Sequence, residues 1–526
     1  MEHVELVVLF LLVTVAVLTS LARLLGVPYP ILLVVGGSLV GFVPGVPDVE
    51  LEPDLVLLIF LPPLLFNAAY FSSVRDLRAD LRAITVSAIG LVLLTTCAVA
   101  VVAHETIDGL PWAAAFALGA IVSPTDPLAA TTIARRLGVP RRITSVIEGE
   151  SLVNDGTALV AYRTAVSAAV GGTFDLLDAT GDFFVNVAGG IAIGYVTGLV
   201  LIVVLRKLRS EDIVGVVISL AAGYVGYIPA EELGVSGILA AVVVGLMVGH
   251  RSTELSTPAS RLRGYAFWEV LVFLLNAMLF VLVGLQLPGI LEDQQRSAGE
   301  LIGLAALVSL VVIASRLAFV NTMPYVIRAL DRRPSQRARR TGWRQRFVTG
   351  WSGLRGAVSL AAALALPVGF PERDLLLFLT LAVIFATLVL QGLTLPYVIR
   401  RLGIEDDGAG EREEIHARRE AARAAIEHLR RLEGEEWTRE DSVGRMIGLM
   451  EFRERRLRLR AGELEDGDGD GEDPEERSQA YQRLVREVLD AQRRRIVELR
   501  DEGAISDEVL HALERELDLE DQRLEI

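Results

Sequence analysis

The amino-acid sequence predicts an all-α polytopic membrane protein of about thirteen transmembrane helices, followed by a helical cytoplasmic tail. Apolar residues fill 52% of the 526 positions, and they are unevenly spread. Residues 1–402 are almost entirely apolar runs of 15–28 residues, most of them long enough to span a hydrocarbon layer of roughly 30 Å. Residues 403–526 hold no such run and are dense in Glu, Asp and Arg, so the chain divides into a membrane domain and a soluble tail. Basic residues, finally, concentrate in alternate loops.

In order, the spanning candidates lie near 4–24, 28–44, 53–71, 80–103, 111–136, 141–168, 182–206, 212–229, 236–250, 267–287, 300–325, 347–366 and 373–400. The first begins at Val4 with no basic n-region or small-residue cleavage site, and reads as a retained helix. Connections after odd-numbered segments, with the helix ends flanking them, carry 22 basic residues, eight of them between Arg328 and Arg346. Those after even-numbered segments carry only Arg296 and Arg373, and hold acids such as Asp48, Glu50, Glu231 and Glu232 instead. Positive charge in short loops stays on the cytoplasmic side, so the N-terminus is expected outside the cell membrane and the tail inside. Thirteen segments with opposite termini allow two six-segment halves of inverted topology joined by a linker helix. Such a plan places a substrate site near the midplane, at broken helices. Cys97 is the only cysteine, so no intrachain disulfide can form.

The chemistry gathers between Gly119 and Tyr162. Ser123-Pro124-Thr125-Asp126-Pro127 interrupts segment five, and each proline lacks an N–H and clashes with the preceding turn. The helix is therefore expected to unwind around Thr125-Asp126. Freed carbonyls and the Thr125 hydroxyl are hard oxygen ligands of the kind an alkali cation accepts, and Asp126 can compensate the positive ends of half-helices. In a soluble protein the same string more often marks a proline kink with Asp126 as an N-cap.

Segment six carries Glu148, Glu150, Ser151, Asn154 and Asp155 within eight positions. An ionised side chain at the bilayer centre costs about 2.5–3.5 kcal/mol on insertion scales, so these acids need partners, water or a task. Glu148, Ser151 and Asp155 share one helical stripe, while Glu150 points to a different neighbour. Glu148, near Arg141 and Arg142, can reach cytoplasmic water, whereas Asp155 lies midway along its run. Segment twelve places Arg355 inside an apolar run, between Gly353 and Gly356, which permit close approach of a neighbouring helix. An intramembrane Arg normally pairs with an acid, and Glu150 and Asp155 are available. Arg163, Arg316 and Glu269 lie nearer segment ends and are expected to snorkel to an interface.

With these residues in view, a resemblance is plain. SPTDP at 123–127, EGESLVNDGTAL at 148–159, WSGLRGAVSLA at 351–361 and FLPPLLFNAAYF at 60–71 resemble the signatures of monovalent cation:proton antiporters of the bacterial sodium/proton exchanger type. The resemblance covers residues 1–400 in order and spacing. It implies an inverted-repeat antiporter fold with broken helices, a homodimer, and an elevator-like movement of a core domain. It further implies that Asp155 binds cation and proton alternately, that Asn154 completes the N-D pair, and that Thr125, Asp126 and Ser151 line the same site. The monovalent cation would sit at Asp155, Thr125 and Ser151, and Glu150 with Arg355 would form a structural ion pair. At Asn67 many relatives carry an acid; here that position cannot titrate, and its part in gating stays open.

In the tail, 411–461 and 477–526 are charged stretches with helical periodicity, separated by an acidic Gly/Asp-rich linker at 462–478. Asp466 to Gly471 imitates the start of a calcium loop, but Arg477 stands where that loop needs a bidentate Glu. A channel would favour a repeated filter or charged ring, and a hydrolase a nucleophile beside a base; neither pattern is visible. The expectation is therefore no enzyme but an antiporter exchanging Na+, K+ or Li+ for H+, electroneutrally and one for one. No cofactor and no nucleic acid are expected. On composition alone the competing reading is a proton-coupled carrier of an organic solute.

Overall fold

In the computed structural model the described residues are 4–44, 53–171, 176–208, 212–292, 294, 296–330, 341–406, 408–433, 435, 437–461, 463, 474–502 and 504–524. Every regular element among them is helical, and they form two compact units, Met1–Asp406 and Asp407–Ile526.

The membrane unit follows the apolar runs. It begins with α1 (Val4–Leu25), α2 (Tyr29–Gly41) and α3 (Pro53–Tyr70). Next come α4 (Val74–Thr85) and α5 (Val92–Thr106), joined without interruption by a π-helical turn at Val86–Leu91. Then follow α6 (Trp112–Val122), α7 (Pro127–Arg136), α8 (Arg141–Gly171), α9 (Leu176–Lys207), α10 (Asp212–Glu232) and α11 (Gly237–His250). After the single turn α12 (Ser252–Leu255) come α13 (Pro258–Leu285), α14 (Leu287–Glu292) and α15 (Ala298–Leu330). The unit closes with α16 (Trp343–Trp351), α17 (Ala357–Leu364), α18 (Arg373–Phe385), a second π-helical turn at Ala386–Gln391, and α19 (Gly392–Arg401). The last run, with Gln391-Gly392 and Pro396, is thus continuous and carries a π turn.

Among the described residues, eight helical segments are long and apolar enough to cross a membrane, and α2, α3 and α11 are shorter apolar helices. Two expected spans fall outside both groups because they hold the polar chemistry. The 141–168 span lies in α8 with its buried acids, and the 347–366 span is split between α16 and α17.

Packing sorts these helices into two layers. In one, α2 lies against α13, and α11 lies among α3, α9 and α10; in the other, α5, α6, α8 and α15 pack around the broken helices. Small residues let backbones touch where no hydrophobic effect drives helices together. A Cβ at Gly284 of α13 would collide with the Val34 carbonyl of α2, and one at Gly249 of α11 with the Tyr70 carbonyl of α3. The layers meet where α17 contacts α3 and α13, and where α8 contacts α3, α9 and α11.

In the tail unit each charged stretch resolves into two helices: α20 (Ala409–Leu432) with α21 (Glu440–Arg460), and α22 (Pro474–Asp501) with α23 (Asp507–Leu524). Ile415, Ala422, Ile426, Val443 and Leu457 are buried in the first pair, Leu489 and Leu510 in the second. Exposed ion pairs bridge both, such as Arg423–Glu454 at 2.8 Å and Arg493–Asp518 at 2.9 Å. Pairs of this kind add little stability each, so the apolar seams decide the pairing. Of the linker expected at 462–478, residues 462 and 464–473 lie outside the described residues, the calcium-like string among them; Pro474 already opens α22.

Candidate ion-binding site

The prolines of segment five end α6 at Val122 and start α7 at Pro127, leaving Ser123–Asp126 as unwound chain. Segment twelve is broken as well, at Ser352–Gly356 between α16 and α17. Segments five and twelve are counterparts if two six-segment halves flank a linker, and their breaks cross: the Asp126 N–H donates to the Leu354 carbonyl at 2.8 Å.

Each end of the first break meets a charge of the right sign. Asp126 is the N-cap of α7, its Oδ1 accepting from the Leu128 N–H at 2.8 Å. Arg355, fully buried, donates from Nε to the Val122 carbonyl at 3.0 Å, and its two Nη atoms donate to the Ser123 and Gly353 carbonyls. A carboxylate thus faces a helix N-terminus and a guanidinium a helix C-terminus, both favoured by the helix dipole.

This arrangement corrects the expected Glu150–Arg355 pair. Arg355 is engaged by carbonyls that the break itself releases, and Glu150 pairs with Arg316 of α15, Nη1 to Oε1 at 2.5 Å. Arg316 does not snorkel; it is 1% exposed, as is Glu150, and its Nη2 donates to the Thr349 carbonyl. Gly353 makes this pairing feasible, because a Cβ there would overlap Arg316 Cδ and Nε. Gly356 likewise leaves space for Asp126, whose carboxylate a Cβ would strike. The two glycines admit side chains, not the neighbouring helix backbone that their spacing suggests.

From α8, the Ser151 hydroxyl donates to the Thr125 carbonyl at 2.8 Å and Asn154 Nδ2 donates to Thr125 Oγ1 at 2.9 Å, tying the unwound strand to this helix. Asn154 Oδ1 is buried without a hydrogen-bond partner. Asp155 follows on the same helix and lines a cavity of about 720 Å³ together with Thr125, Asp126 and Ser151. Among the described residues, no hydrogen bond or ion pair from the protein reaches its carboxylate. The structure brings Thr125, Asp126, Ser151, Asn154 and Asp155 together, with Glu150 and Arg355 buried behind them.

Asn67 of α3, in the other layer, lines the same cavity. Glu269 and Asn276 of α13 and Tyr29 of α2 line it as well. Glu269 therefore faces the cavity, a placement that its position near a segment end did not suggest. Ser359 of α17, 1% exposed with an unpartnered Oγ, also lines the cavity. Reading the sequence missed Ser359, Asn276 and Tyr29, for which no local signal exists. At one end the cavity reaches Arg135 and Glu148, which pair at 2.5 Å. Arg163 pairs with Glu231 at 2.6 Å near the other end of α8.

Residues 9–401 match the model of the sodium/hydrogen exchanger transmembrane family. A protein of Mycobacterium tuberculosis, named an uncharacterized Na+/H+ exchanger, is 36% identical over 528 residues, which cover 98% of this chain and 96% of that protein. A sodium, potassium, lithium and rubidium/H+ antiporter of Bacillus pumilus is 32% identical over 451 residues, 82% of this chain and 66% of its own length. The sodium proton antiporter MjNhaP1 of Methanocaldococcus jannaschii has a similar fold, with a TM-score of 0.59 at 17% identity over 76% of this chain and 99% of that one. With its membrane unit matched almost end to end, the chain belongs to the sodium/hydrogen exchanger family.

Proposed function

We propose that this protein is a secondary antiporter that exchanges a monovalent cation for H+ across the cell membrane, with Asp155 carrying each in turn. One observation supports this reading above the others. The buried charges around the first break are met by protein groups except at Asp155: Glu150 takes Arg316, Asp126 caps α7, and Arg355 meets the end of α6. Asp155 is left facing the cavity as a carboxylate without a protein donor. An intramembrane acid in that situation needs a proton or a cation. Thr125 and Ser151 supply neighbouring oxygens, and Asn154 and Ser151 position the strand that bears them.

Na+ is the principal substrate, and the names of the relatives admit K+ and Li+ too. Residues 1–402 transport, residues 403–526 form a cytoplasmic regulatory tail, and the N-terminus lies outside. In that orientation the cavity opens at its Arg135–Glu148 end toward the cytoplasm. The layer holding Asp155 moves against the layer holding Asn67, in a homodimer serving pH homeostasis, and Asn67 shapes the gate without titrating.

Proton and cation compete for one carboxylate, so apparent cation affinity rises with pH. Asp155→Asn is expected to abolish exchange while the protein still inserts. Purified variant in liposomes, challenged with Na+ against a preset pH gradient, tests this. Dissipation of the gradient at the parent rate would overturn the assignment.

A further inference from the structure

A second cavity, of about 190 Å³, lies between α4, α8, α15 and α16, away from the ion path. Arg82, Arg142 and Arg346 line it, and Asp80 is the one acid on its wall. Asp80 is already engaged by Arg142 at 3.0 Å.

Arg346 is the unusual member. It is 6% exposed, yet among the described residues no carboxylate lies within ion-pair distance of it. Its Nη2 donates to the Tyr325 hydroxyl at 3.0 Å and its Nη1 to the Asn321 carbonyl at 3.4 Å; the guanidinium carbon sits 4.8 Å from the Tyr325 ring centroid. Its Nε has no hydrogen-bond partner. Arg142, Arg163 and Arg316 have acid partners in Asp80, Glu231 and Glu150, and Arg355 lies at the C-terminus of α6, whose dipole favours a cation. A buried cation held only by neutral groups is costly unless an anion joins it. Beside Ser87, Thr341 and Thr349, the wall carries apolar Val86, Val146, Phe319 and Met323. A ligand that fits both halves is anionic at one end and hydrocarbon at the other.

We propose that this cavity binds the phosphoryl headgroup of an anionic phospholipid, with Arg346 as its counter-charge and the apolar wall receiving the start of an acyl chain. The cavity lies at the arginine-rich helix ends, the side proposed above to be cytoplasmic, where the leaflet is rich in such lipids. A headgroup there would join α8, which bears Asp155, to α15 and α16, and so brace the helices behind the ion site. Lipid binding itself does not depend on which ions are exchanged.

The test is native mass spectrometry and thermal unfolding of the full chain in detergent, with added phosphatidylglycerol, phosphatidylcholine of the same chains, or inorganic phosphate. Phosphatidylglycerol alone is expected to stay bound and to raise the unfolding temperature. Arg346→Gln should weaken its retention about tenfold, the scale of one lost charge-assisted hydrogen bond. Because Arg346 is buried, Ala83→Trp serves as the second variant. Ala83 is an exposed lining residue, and the indole would fill the cavity without removing charge. It should abolish the phosphatidylglycerol effect and leave the unfolding temperature in phosphatidylcholine unchanged. Equal protection by both lipids, or a phosphatidylglycerol effect that survives Ala83→Trp, would overturn the site. Equal protection by inorganic phosphate alone would overturn its assignment to lipid.

Discussion

Two interrupted helices cross at the centre of the membrane unit, and they are interrupted by different means. Between α6 and α7 the break is made by Pro124 and Pro127, which remove donors and release carbonyls. Charged groups must then meet both ends, and Arg355 and Asp126 do so. Between α16 and α17 the break contains Gly353 and Gly356, which release volume. Other elements fill that volume, Arg316 at Gly353 and Asp126 at Gly356. The proline break frees backbone groups; the glycine break receives side chains. An intramembrane site built this way needs both, because unwound chain at membrane depth survives only where every polar group finds a protein or water partner.

The contrast is open to direct attack. The largest effect is expected at the glycine break. Gly356→Ala places a methyl group against the Asp126 carboxylate and should cut exchange by about 100-fold, the scale of a misplacement near 1 Å. Pro124→Ala should cost far less, since Pro127 still ends the helix. Initial rates in everted vesicles compare the two, and parity between them would break the distinction.

Next comes stability. Glu150→Gln leaves Arg316 buried without its partner and should cost about 3–5 kcal/mol, whereas the pair Glu150→Gln with Arg316→Met should be nearly neutral. A double-mutant cycle on thermal unfolding should therefore give strong coupling between Glu150 and Arg316 and weak coupling between Glu150 and Arg355. The opposite ranking would return Arg355 to Glu150.

The smallest effect expected is none at all. If Asp126 stays ionised as the cap of α7, only Asp155 changes state, and one cation moves against one proton with no net charge transferred. Membrane voltage, worth about 2.3 kcal/mol per charge per 100 mV, then has nothing to act on. A valinomycin-imposed potential should leave Na+-driven pH change in proteoliposomes unaltered, once K+ transport has been excluded. Voltage dependence would make Asp126 a second carrier.

Much of this architecture was legible along the chain because its signals are local. Apolar runs announce helices that must bury their backbone groups in lipid, and Pro124 and Pro127 announce a break wherever they fall in such a run. Glu148 to Asp155 sit on one helix, so their stripe follows from the helical repeat. Tertiary structure alone decided the partners. Arg316 and Arg355 are each an arginine in an apolar stretch, and nothing local says which one takes Glu150. The choice depends on what each guanidinium meets first: Arg355 the carbonyls at the end of α6, Arg316 the space beside Gly353. Likewise Ser359, Asn276 and Tyr29 line the candidate site only because α17, α13 and α2 converge on one cavity. A sequence specifies what each segment must satisfy; which distant group satisfies it is settled only when the helices pack, because charge and volume are balanced between segments and not within them.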